Sequence, residues 1–498
     1  MSEKTNKIRV RFAPSPTGFV HIGSLRTALY DYLLARQKKG SFVLRIEDTD
    51  RNRFVEGSLE NLLIVLEKVN LKWDEGPFLE NGKIIEKGEF GPYIQSNRLD
   101  IYKKYALELI KKEKAYYCFC SSERLDEVRR IQEVNHEPTK YDGFCRNLDK
   151  ETISKNLEKK LPYVIRLAVP KEGTTKFSDL VRNEVEFENK LIDDQVLIKS
   201  DGFPTYHLAV VVDDHLMQIT HIIRGEEWLS STPKHVILYE AFGWDNPQYA
   251  HLPLILNPDK SKLSKRQGDV AVEDYLKKGF LPEALINFVA LLGWNPGTEQ
   301  EIFSLDELVQ AFDINKIQKA GAVFDITKLE WMNSQYIKKM SVANLTAKCL
   351  PYLVEGGLVG KTTSKEEQEK ITKIITVTQE RLKKLSEIVD LTGFFFQQPD
   401  LNPDLLVWKK SDKEITKIRL ERLLKFYDTY TERWTEKGVE ENTLKLIEEE
   451  KLENGPTLWP LRVALSHLER SPGPFQLTWV LGKEETLQRI QSAIKSLS

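Results

Sequence analysis

The chain is poor in cysteine, with four in 498 residues, and it contains no long apolar run. So few cysteines do not make a disulfide framework, which favours a reducing compartment. The N-terminal residues are polar and lack the apolar centre of a signal peptide, and no stretch is apolar for long enough to span a bilayer. We therefore expect a cytoplasmic protein with no membrane partner.

Charge of one sign is also lacking, because the formal net charge is only −2. Any contact with a nucleic acid must therefore come from local basic surface. The chain is too long for a single hydrophobic core, so several domains are expected. Strands and helices alternate up to about Gln95, a mixed insert follows, the alternation resumes after Phe203, and helical patterns dominate from Lys262 onward.

A turn rich in proline and glycine joins a short β-branched strand to an amphipathic helix near the N-terminus. It reads Arg11-Phe12-Ala13-Pro14-Ser15-Pro16-Thr17-Gly18-Phe19-Val20-His21-Ile22-Gly23-Ser24. Backbone N–H groups at the start of such a helix can face a phosphate. His21 can donate to phosphate oxygens, and Gly23 lets a nucleotide lie close to the backbone.

A second segment, far downstream, reads Lys262-Leu263-Ser264-Lys265-Arg266. Its two lysine ammonium groups suit the negative charge that develops on a pyrophosphate leaving group. Each segment alone is more often an ordinary turn or a solvated basic loop. Together they describe an ATP site.

The two segments resemble the HIGH and KMSKS motifs of class I aminoacyl-tRNA synthetases. Three further segments, Arg45–Asp50, Pro204–Ala209 and Arg224–Pro233, resemble the glutamyl-tRNA synthetase branch in the same order. The helical C-terminal half is similar to that of the bacterial-type enzymes, since related glutaminyl, archaeal and eukaryotic enzymes carry β-barrels there. The resemblance covers nearly the whole chain.

The resemblance implies an α/β fold with a class I Rossmann-like catalytic domain, an inserted α+β acceptor-binding domain and an all-helical anticodon-binding half. We place the catalytic domain at 1–95 and 206–258 and the insert at 96–205. A KMSKS loop and stem-contact helical domain follows at 259–340. The anticodon-binding region is 341–498, with a boundary between two subdomains near 400.

The implied reaction is the ligation of L-glutamate to tRNA-Glu, with ATP as a substrate, Mg²⁺ as its companion ion and a monomeric enzyme. Glutamate first forms glutamyl-adenylate and is then transferred to the terminal ribose of the tRNA. His21, Lys262 and Lys265 would stabilise charge during catalysis. The residues expected at ATP are Thr17, Gly18, His21, Gly23, Ser24, Lys262, Leu263, Ser264, Lys265 and Arg266. Ser24 stands where the HIGH pattern has its second histidine.

The substrate glutamate needs fixed cations for its side-chain carboxylate if glutamine is to be rejected. Carried over from the family, Arg11, Tyr206 and Arg224 resemble the side-chain pocket. Ala13, Ser15 and Glu47 resemble the groups around the amino end, where a carboxylate suits an ammonium. Val210 stands where some family members have asparagine, so a polar contact is missing there or is replaced by water.

A metal site is a second expectation, because Cys118 and Cys120 are followed by Cys145 in the insert. Three thiolates and one further donor suit zinc. Some relatives bind zinc through this pattern, and Tyr141 stands where a truncated relative has its fourth ligand. Asn147 occupies the usual histidine position and is a poor ligand. A small core of reduced cysteines is the alternative, and Cys349 is expected to be a buried helix thiol.

The helical half resembles an anticodon reader, with Arg381 and Arg462 as the candidate contacts. A guanidinium is a donor only, so it fits the acceptors of cytosine in the tRNA-Glu anticodon and opposes the donors of guanine in that of tRNA-Gln. We therefore expect discrimination against tRNA-Gln. The alternatives are a non-discriminating synthetase, a non-catalytic tRNA-binding paralogue, and a nucleotidyltransferase, which would have no use for the helical tail.

Overall fold

The computed structural model describes residues 7–263, 271–409 and 411–497. The chain divides into two compact units. The first comprises Met1–Leu276 and Pro282–Ile326, and the second comprises Lys277–Leu281 and Thr327–Ser498. Within the described ranges, no helix is both long and apolar enough to cross a membrane.

The first unit is mixed α/β. Its strands are β1 (Arg9–Phe12), β2 (Ser41–Leu44), β3 (Gly76–Glu80), β4 (Lys83–Lys87), β5 (Ala115–Cys118), β6 (Val164–Leu167), β7 (Thr174–Asp179), β8 (Asn183–Glu188), β9 (Val196–Ile198), β10 (His221–Gly225), β11 (Gln248–Leu252), β12 (Ile255–Leu256) and β13 (Ala322–Val323). Its helices are α1 (Ile22–Gln37), α2 (Ser58–Lys68), α3 (Leu99–Lys111), α4 (Ser122–Val134), α5 (Lys150–Glu158), α6 (Tyr206–Leu216), α7 (Thr232–Phe242), α8 (Val272–Lys277), α9 (Pro282–Ala290) and α10 (Leu305–Ala311).

The main sheet has the strand order β2-β1-β10-β11-β7-β8. Neighbouring strands from β2 to β7 are parallel, and β8 pairs antiparallel with β7. Residues of β1, β2 and the centre of β10 are buried, as expected for parallel strands covered on both faces. The carboxyl ends of β1, β2 and β10 therefore lie at one edge, where ligands bind in open α/β sheets.

Residues 96–205, which the sequence analysis assigns to the insert, contribute to two different sheets. β5, β6 and β9 form a separate antiparallel sheet, whereas β7 and β8 extend the main sheet beyond β11. The predicted division of this unit into domains stays a prediction, but the main sheet clearly draws strands from both sides of position 205.

Local sequence signals explain where the site's helices begin. Helix α1 follows His21, whose Nδ1 accepts the Ser24 backbone N–H at 3.2 Å, so the predicted helix start is confirmed. Helix α7 starts at Thr232 with Pro233 in its first turn and ends before Gly243, where φ is +78°. These helix starts follow β1 and β10 and bring their first residues to the same sheet edge.

The second unit is helical over its described residues. Its helices are α11 (Ile326–Lys339), α12 (Val342–Glu355), α13 (Lys365–Thr378), α14 (Ile388–Thr392), α15 (Lys413–Asp428), α16 (Glu436–Glu449), α17 (Asn454–Ser466) and α18 (Pro474–Ser496). Helix α12 ends before Gly356-Gly357, and α18 begins at Pro474. One apolar cluster includes Ile374 and Phe395 together with residues from α15 to α18, so packed core lies on both sides of position 400.

Candidate functional site

A cavity of about 860 Å³ opens at the carboxyl edge of the main sheet. Its lining contains all six residues predicted for glutamate, which are Arg11, Ala13, Ser15, Glu47, Tyr206 and Arg224. It also contains Thr17, His21, Gly23, Ser24, Lys262 and Leu263 from the predicted ATP set. The structure therefore brings two segments separated by more than two hundred residues of sequence to one cavity.

The other members of the predicted ATP set are Gly18 and the segment Ser264-Lys265-Arg266. Gly18 is not part of the cavity lining, but its φ of +149° favours glycine in the turn before α1. Ser264, Lys265 and Arg266 lie outside the described residues. Their predicted roles stay predictions.

His21 is exposed at the mouth of the cavity and caps α1. The second ring nitrogen, Nε2, lies 2.9 Å from the Ser24 hydroxyl oxygen, so the residue that replaces the motif's second histidine contacts the first. A side chain at Gly23 would come within 3.0 Å of the His21 ring. Gly23 therefore leaves room for the imidazole as well as for a ligand.

Arg11 is held from behind by a carboxylate. Its Nε donates to Asp214 Oδ1 at 3.0 Å, and Arg45 Nη1 donates to the same oxygen at 2.6 Å. Burial opposes ionisation of Asp214, but the charges of Arg11 and Arg45 outweigh it and keep the Asp214 pKa below its ordinary value. This buried pair fixes Arg11 as a cation at the cavity wall.

Glu47 shares the same network, because Arg45 Nη2 donates to its Oε1 at 2.9 Å. Burial raises the pKa of Glu47, against the opposing charges of Arg45 and Arg11. A cation bound beside Glu47 would favour its charged form. The carboxylate is thus placed to receive an ammonium group.

Arg224 lies on β10 and is 5% exposed. Its Nη1 donates to the Tyr206 hydroxyl oxygen at 3.0 Å. Burial raises the pKa of Tyr206, which keeps the phenol protonated. Since that hydroxyl accepts from Arg224, its own hydrogen can point to a bound acceptor.

Val210 is buried in an apolar cluster around α3, α6 and α7 and is not part of the cavity lining. It therefore offers the ligand no polar atom. Sequence reasoning did not assign Lys199, Glu227 and Trp228, which also line the cavity. Glu227 and Trp228 belong to the same Arg224–Pro233 segment as Arg224, so their place in that motif was an available signal.

The candidate metal centre lies in the insert. The three thiol sulfurs of Cys118, Cys120 and Cys145 lie within 4.8 Å of one another, and the Cys120 and Cys145 sulfurs are 3.5 Å apart. The Tyr141 hydroxyl oxygen is 3.4 Å from the Cys118 sulfur and 3.5 Å from that of Cys120. Sulfurs bound to one tetrahedral zinc are about 3.8 Å apart, so the donor set has the size that zinc requires.

The protonation of this cluster is uneven. Burial opposes ionisation of Cys118, but hydrogen bonds from Tyr141, the backbone and Arg166 outweigh it and lower its pKa. Burial raises the pKa of Cys120 to about 11. Asn147 is exposed, and Cys349 is buried elsewhere, as expected for a helix thiol.

The two predicted anticodon residues both lie in the second unit. Burial lowers the pKa of Arg462, and the charge of Arg381 lowers it further. The Arg462 guanidinium stacks over the Trp459 ring at 4.5 Å and donates to Ser471 and to the Glu469 carbonyl. Arg381 is exposed at the end of a short 3-10 turn that follows α13.

Comparisons with known proteins agree with this architecture. The family described as "tRNA synthetases class I (E and Q), catalytic domain" matches residues 7–331, and the family described as "Anticodon binding domain" matches residues 344–494. The fold and cavity thus define a class I tRNA synthetase.

Similar proteins narrow this class. Glutamate–tRNA ligase of Clostridioides difficile strain 630 is 49% identical over 97% of this chain and 98% of its own, and that of Alkaliphilus metalliredigens is 48% identical over the same shares. A crystal structure of a glutamate tRNA ligase from Elizabethkingia meningosepticum, in complex with its amino acid, has a TM-score of 0.89 at 39% identity and covers 99% of this chain and 100% of that one. The chain belongs to the bacterial glutamate–tRNA ligase family.

Proposed function

We propose that this protein catalyses the ATP-dependent ligation of L-glutamate to tRNA-Glu. The main support is that one cavity is lined both by the residues predicted to bind glutamate and by the described residues predicted to bind ATP. The chain spans its relatives almost completely and includes the matched anticodon-binding region, which a truncated relative would lack.

Glutamate would bind with its side-chain carboxylate between Arg11 and Arg224. Both guanidinium groups are buried, and Tyr206 adds a hydroxyl donor. Glu47 would accept the ammonium group, while Ala13 and Ser15 line the same end. The α-carboxylate is then left to face the nucleotide. This arrangement selects a substrate with one cationic and two anionic groups.

In the first step, a glutamate α-carboxylate oxygen attacks the α-phosphorus of ATP. The bond to the bridging oxygen breaks, and its electron pair leaves with pyrophosphate. His21 and Lys262, together with Lys265 from the segment outside the described residues, would stabilise the charge on the phosphate oxygens. Catalysis then consists of positioning and charge stabilisation and needs no protein nucleophile.

Mg²⁺ would be held chiefly by phosphate oxygens of ATP. Among the described residues, Cys118, Cys120 and Cys145 form a group of three side chains close enough to bind one metal ion. The described lining of the cavity contains no such group of three ligands. Mg²⁺ would therefore enter the cavity together with ATP, whose phosphate oxygens supply most of its ligands.

In the second step, the terminal ribose hydroxyl of the tRNA attacks the glutamyl carbonyl carbon. AMP leaves with the electron pair of the broken acyl–phosphate bond, and a phosphate oxygen of AMP takes up the hydroxyl proton. The same buried cations would hold the glutamate side chain throughout. We further propose a monomeric, cytoplasmic enzyme.

We also propose that the protein discriminates against tRNA-Gln. The supporting observation is that Arg381 is exposed in the second unit and that its guanidinium, like that of Arg462, presents only donors. Cytosine at the third anticodon position offers acceptors on its pairing edge, whereas guanine offers donors. Guanine at this position would therefore place its N–H donors against the N–H donors of the guanidinium groups.

The cysteine cluster would hold a structural Zn²⁺ through Cys118, Cys120, Cys145 and Tyr141. Its support is the spacing of the donor atoms. The ion would tie the loop after β5 to the segment that follows α4.

ATP–pyrophosphate exchange tests the proposed activity. The purified protein is incubated with each amino acid, with and without tRNA, and the exchange rate is measured. We expect exchange with glutamate in the presence of tRNA-Glu. Exchange without any amino acid would indicate a different nucleotidyl transfer, and its absence under all conditions would indicate a non-catalytic paralogue.

A further inference from the structure

Behind Arg224 lies a buried polar cluster that the two proposed steps do not use. Arg224 Nε lies 3.1 Å from His251 Nε2, and Nη1 lies 3.3 Å from His235 Nδ1. Nη2 donates to the Thr232 hydroxyl oxygen at 2.8 Å. His251, His235 and Thr232 are almost fully buried. The guanidinium is thus surrounded on its core side by side chains from β11 and α7.

The hydrogen inventory of this cluster determines which atoms carry protons. A guanidinium has five N–H donors and no acceptor, so His251 Nε2 offers Arg224 a lone pair. The Thr232 hydroxyl oxygen also lies 3.0 Å from Nε2, and a hydroxyl can donate to the same lone pair. The proton of His251 must then be on Nδ1. That atom lies 2.5 Å from Asp179 Oδ2, which accepts it. Asp179 therefore selects the tautomer of His251 that Arg224 requires.

Asp179 is itself fixed by the backbone. Its Oδ1 accepts the N–H groups of Val181 at 2.9 Å and Arg182 at 2.8 Å, in the turn between β7 and β8. Its Oδ2 also accepts the backbone N–H of His251 at 3.1 Å. The carboxylate cannot rotate away without breaking several hydrogen bonds, so it forms a rigid base for the imidazole.

We propose that Asp179 and His251 are positioning residues for Arg224 and thereby contribute to the selection of glutamate over glutamine. This inference rests on the proposed function, since it assigns Arg224 to the substrate's side-chain carboxylate. Four of the five Arg224 N–H groups have acceptors in the described contacts, namely His251, His235, Tyr206 and Thr232. The remaining Nη2–H has its direction fixed by those four.

Selectivity follows from this rigidity. A carboxylate accepts from the remaining N–H and from the Tyr206 hydroxyl. The amide of glutamine would also bring two donors to a site whose cation cannot turn aside. If His251 carried its proton on Nε2 and not on Nδ1, the Nε2–H would face the Nε–H of Arg224. The guanidinium would then have to move. A loosely held Arg224 guanidinium can shift to fit the side-chain amide of glutamine, which lowers the discrimination between glutamate and glutamine.

Two replacements of His251 separate positioning from simple core packing. The amide of His251→Gln reaches the place of Nε2 and can supply an acceptor to Arg224. The amide of His251→Asn reaches the place of Nδ1 and can donate to Asp179, but it is too short to reach Arg224. Both remove an imidazole from the same core, so they serve as matched controls for each other.

The test measures kcat and KM for glutamate and ATP in ATP–pyrophosphate exchange with tRNA-Glu, and kcat/KM for glutamine. For His251→Asn we expect the glutamate KM to rise on the order of 10- to 100-fold, as for loss of a buried hydrogen bond to a charged group. The ATP KM should stay within about twofold, because the change acts only through Arg224. The ratio of kcat/KM for glutamate to kcat/KM for glutamine should decrease. His251→Gln should recover most of the lost glutamate affinity.

Thermal unfolding of each variant checks that it is folded. If His251→Asn does not fold, Asp179→Asn provides the same readout, because an asparagine amide can donate to Nδ1 and reverse the tautomer. Equal effects of His251→Asn and His251→Gln in folded protein, or parallel rises in both KM values, would overturn the inference. A wild-type protein that does not activate glutamate would instead overturn the proposed function.

Discussion

Arg11 and Arg224 are contributed by adjacent parallel strands, β1 and β10, which brings two buried cations to the same edge of the sheet. Each needs a compensating partner, because an unpaired buried charge is costly. Arg11 has Asp214 as its partner, whereas Arg224 is surrounded by neutral acceptors in the described contacts. A substrate carboxylate would therefore complete the charge balance at Arg224.

Replacing Arg224 with glutamine should weaken the use of glutamate and spare ATP. Loss of one charge-assisted partner of a buried carboxylate costs about 2–5 kcal/mol, measured here as the fall in kcat/KM for glutamate. Arg36→Gln is the matched control, because Arg36 pairs with Asp74 away from the cavity. Equal losses for both substrates would assign Arg224 to the nucleotide or to folding.

The half-buried His207, next to the cavity-lining Tyr206, predicts a pH dependence of stability. Burial, followed by the charges of Lys234 and Arg224, lowers the pKa of His207 to about 3. An unfolded chain binds this proton below the ordinary histidine pKa of about 6.5, whereas the folded protein does not until about pH 3. The free energy of unfolding should thus decrease as the pH falls from about 6.5 toward 3.

Denaturant unfolding of the wild type and of His207→Gln between pH 5 and 8 measures this effect. The two proteins should have parallel pH profiles above about pH 6.5, and the wild type should lose up to about 1.4 kcal/mol more per pH unit below it. Replacement of exposed His136 is the control. Identical profiles of wild type and His207→Gln at acid pH would show that His207 is not held neutral.

At the scale of elements, the insert contributes a cysteine cluster that links the end of β5 to the segment after α4. If zinc is bound there, purified protein should carry about one zinc per chain, and Cys118→Ser should lose it, because removal of a thiolate ligand weakens the site strongly. Elemental analysis measures both. Cys349→Ser should keep the metal, since Cys349 lies in α12, outside the cluster. Metal-free wild-type protein that is fully folded would favour a core of reduced cysteines.

The helical region contributes the predicted anticodon contact. Arg381→Gln should relax the preference for tRNA-Glu by about 1–3 kcal/mol, because a glutamine side chain can either donate or accept. Aminoacylation of both tRNAs by wild type and variant measures the change. Lys437→Gln, at an exposed position of α16, is the control. Efficient charging of tRNA-Gln by the wild type would contradict the assignment of Arg381.

The sequence predicted the elements that carry their own local signals. His21 marks the start of α1, and the structure confirms this because its imidazole caps the helix. Pro233 lies in the first turn of α7, where proline is favoured. The union of the two motif segments in one cavity also follows from the sheet, since functional groups gather at the carboxyl ends of parallel strands.

Other features depend on contacts that no local pattern encodes. Asp214 meets Arg11 across 203 residues of sequence, and Asp179 meets His251 across 72. The alternating burial of β7 is equally compatible with an independent hairpin in the insert, yet β7 extends the main sheet. Such partners are selected by tertiary packing, so they were found only in the structure.

At the scale of the whole molecule, the two compact units carry different parts of the proposed reaction. The first contains the described cavity with its glutamate and ATP residues, and the second contains Arg381 and Arg462. The net charge of −2 leaves tRNA attraction to local groups in either unit. Both families matched by the chain are therefore needed for the complete account.

Aminoacylation by the purified full chain tests the central claim most directly. The protein is incubated with ATP, Mg²⁺ and tRNA-Glu and with labelled glutamate or labelled glutamine, and acid-precipitable label on the tRNA is counted. We expect glutamyl-tRNA-Glu to accumulate with labelled glutamate and almost no labelled tRNA to form with glutamine. Failure to charge tRNA-Glu with glutamate, or comparable charging with glutamine, would contradict the central claim.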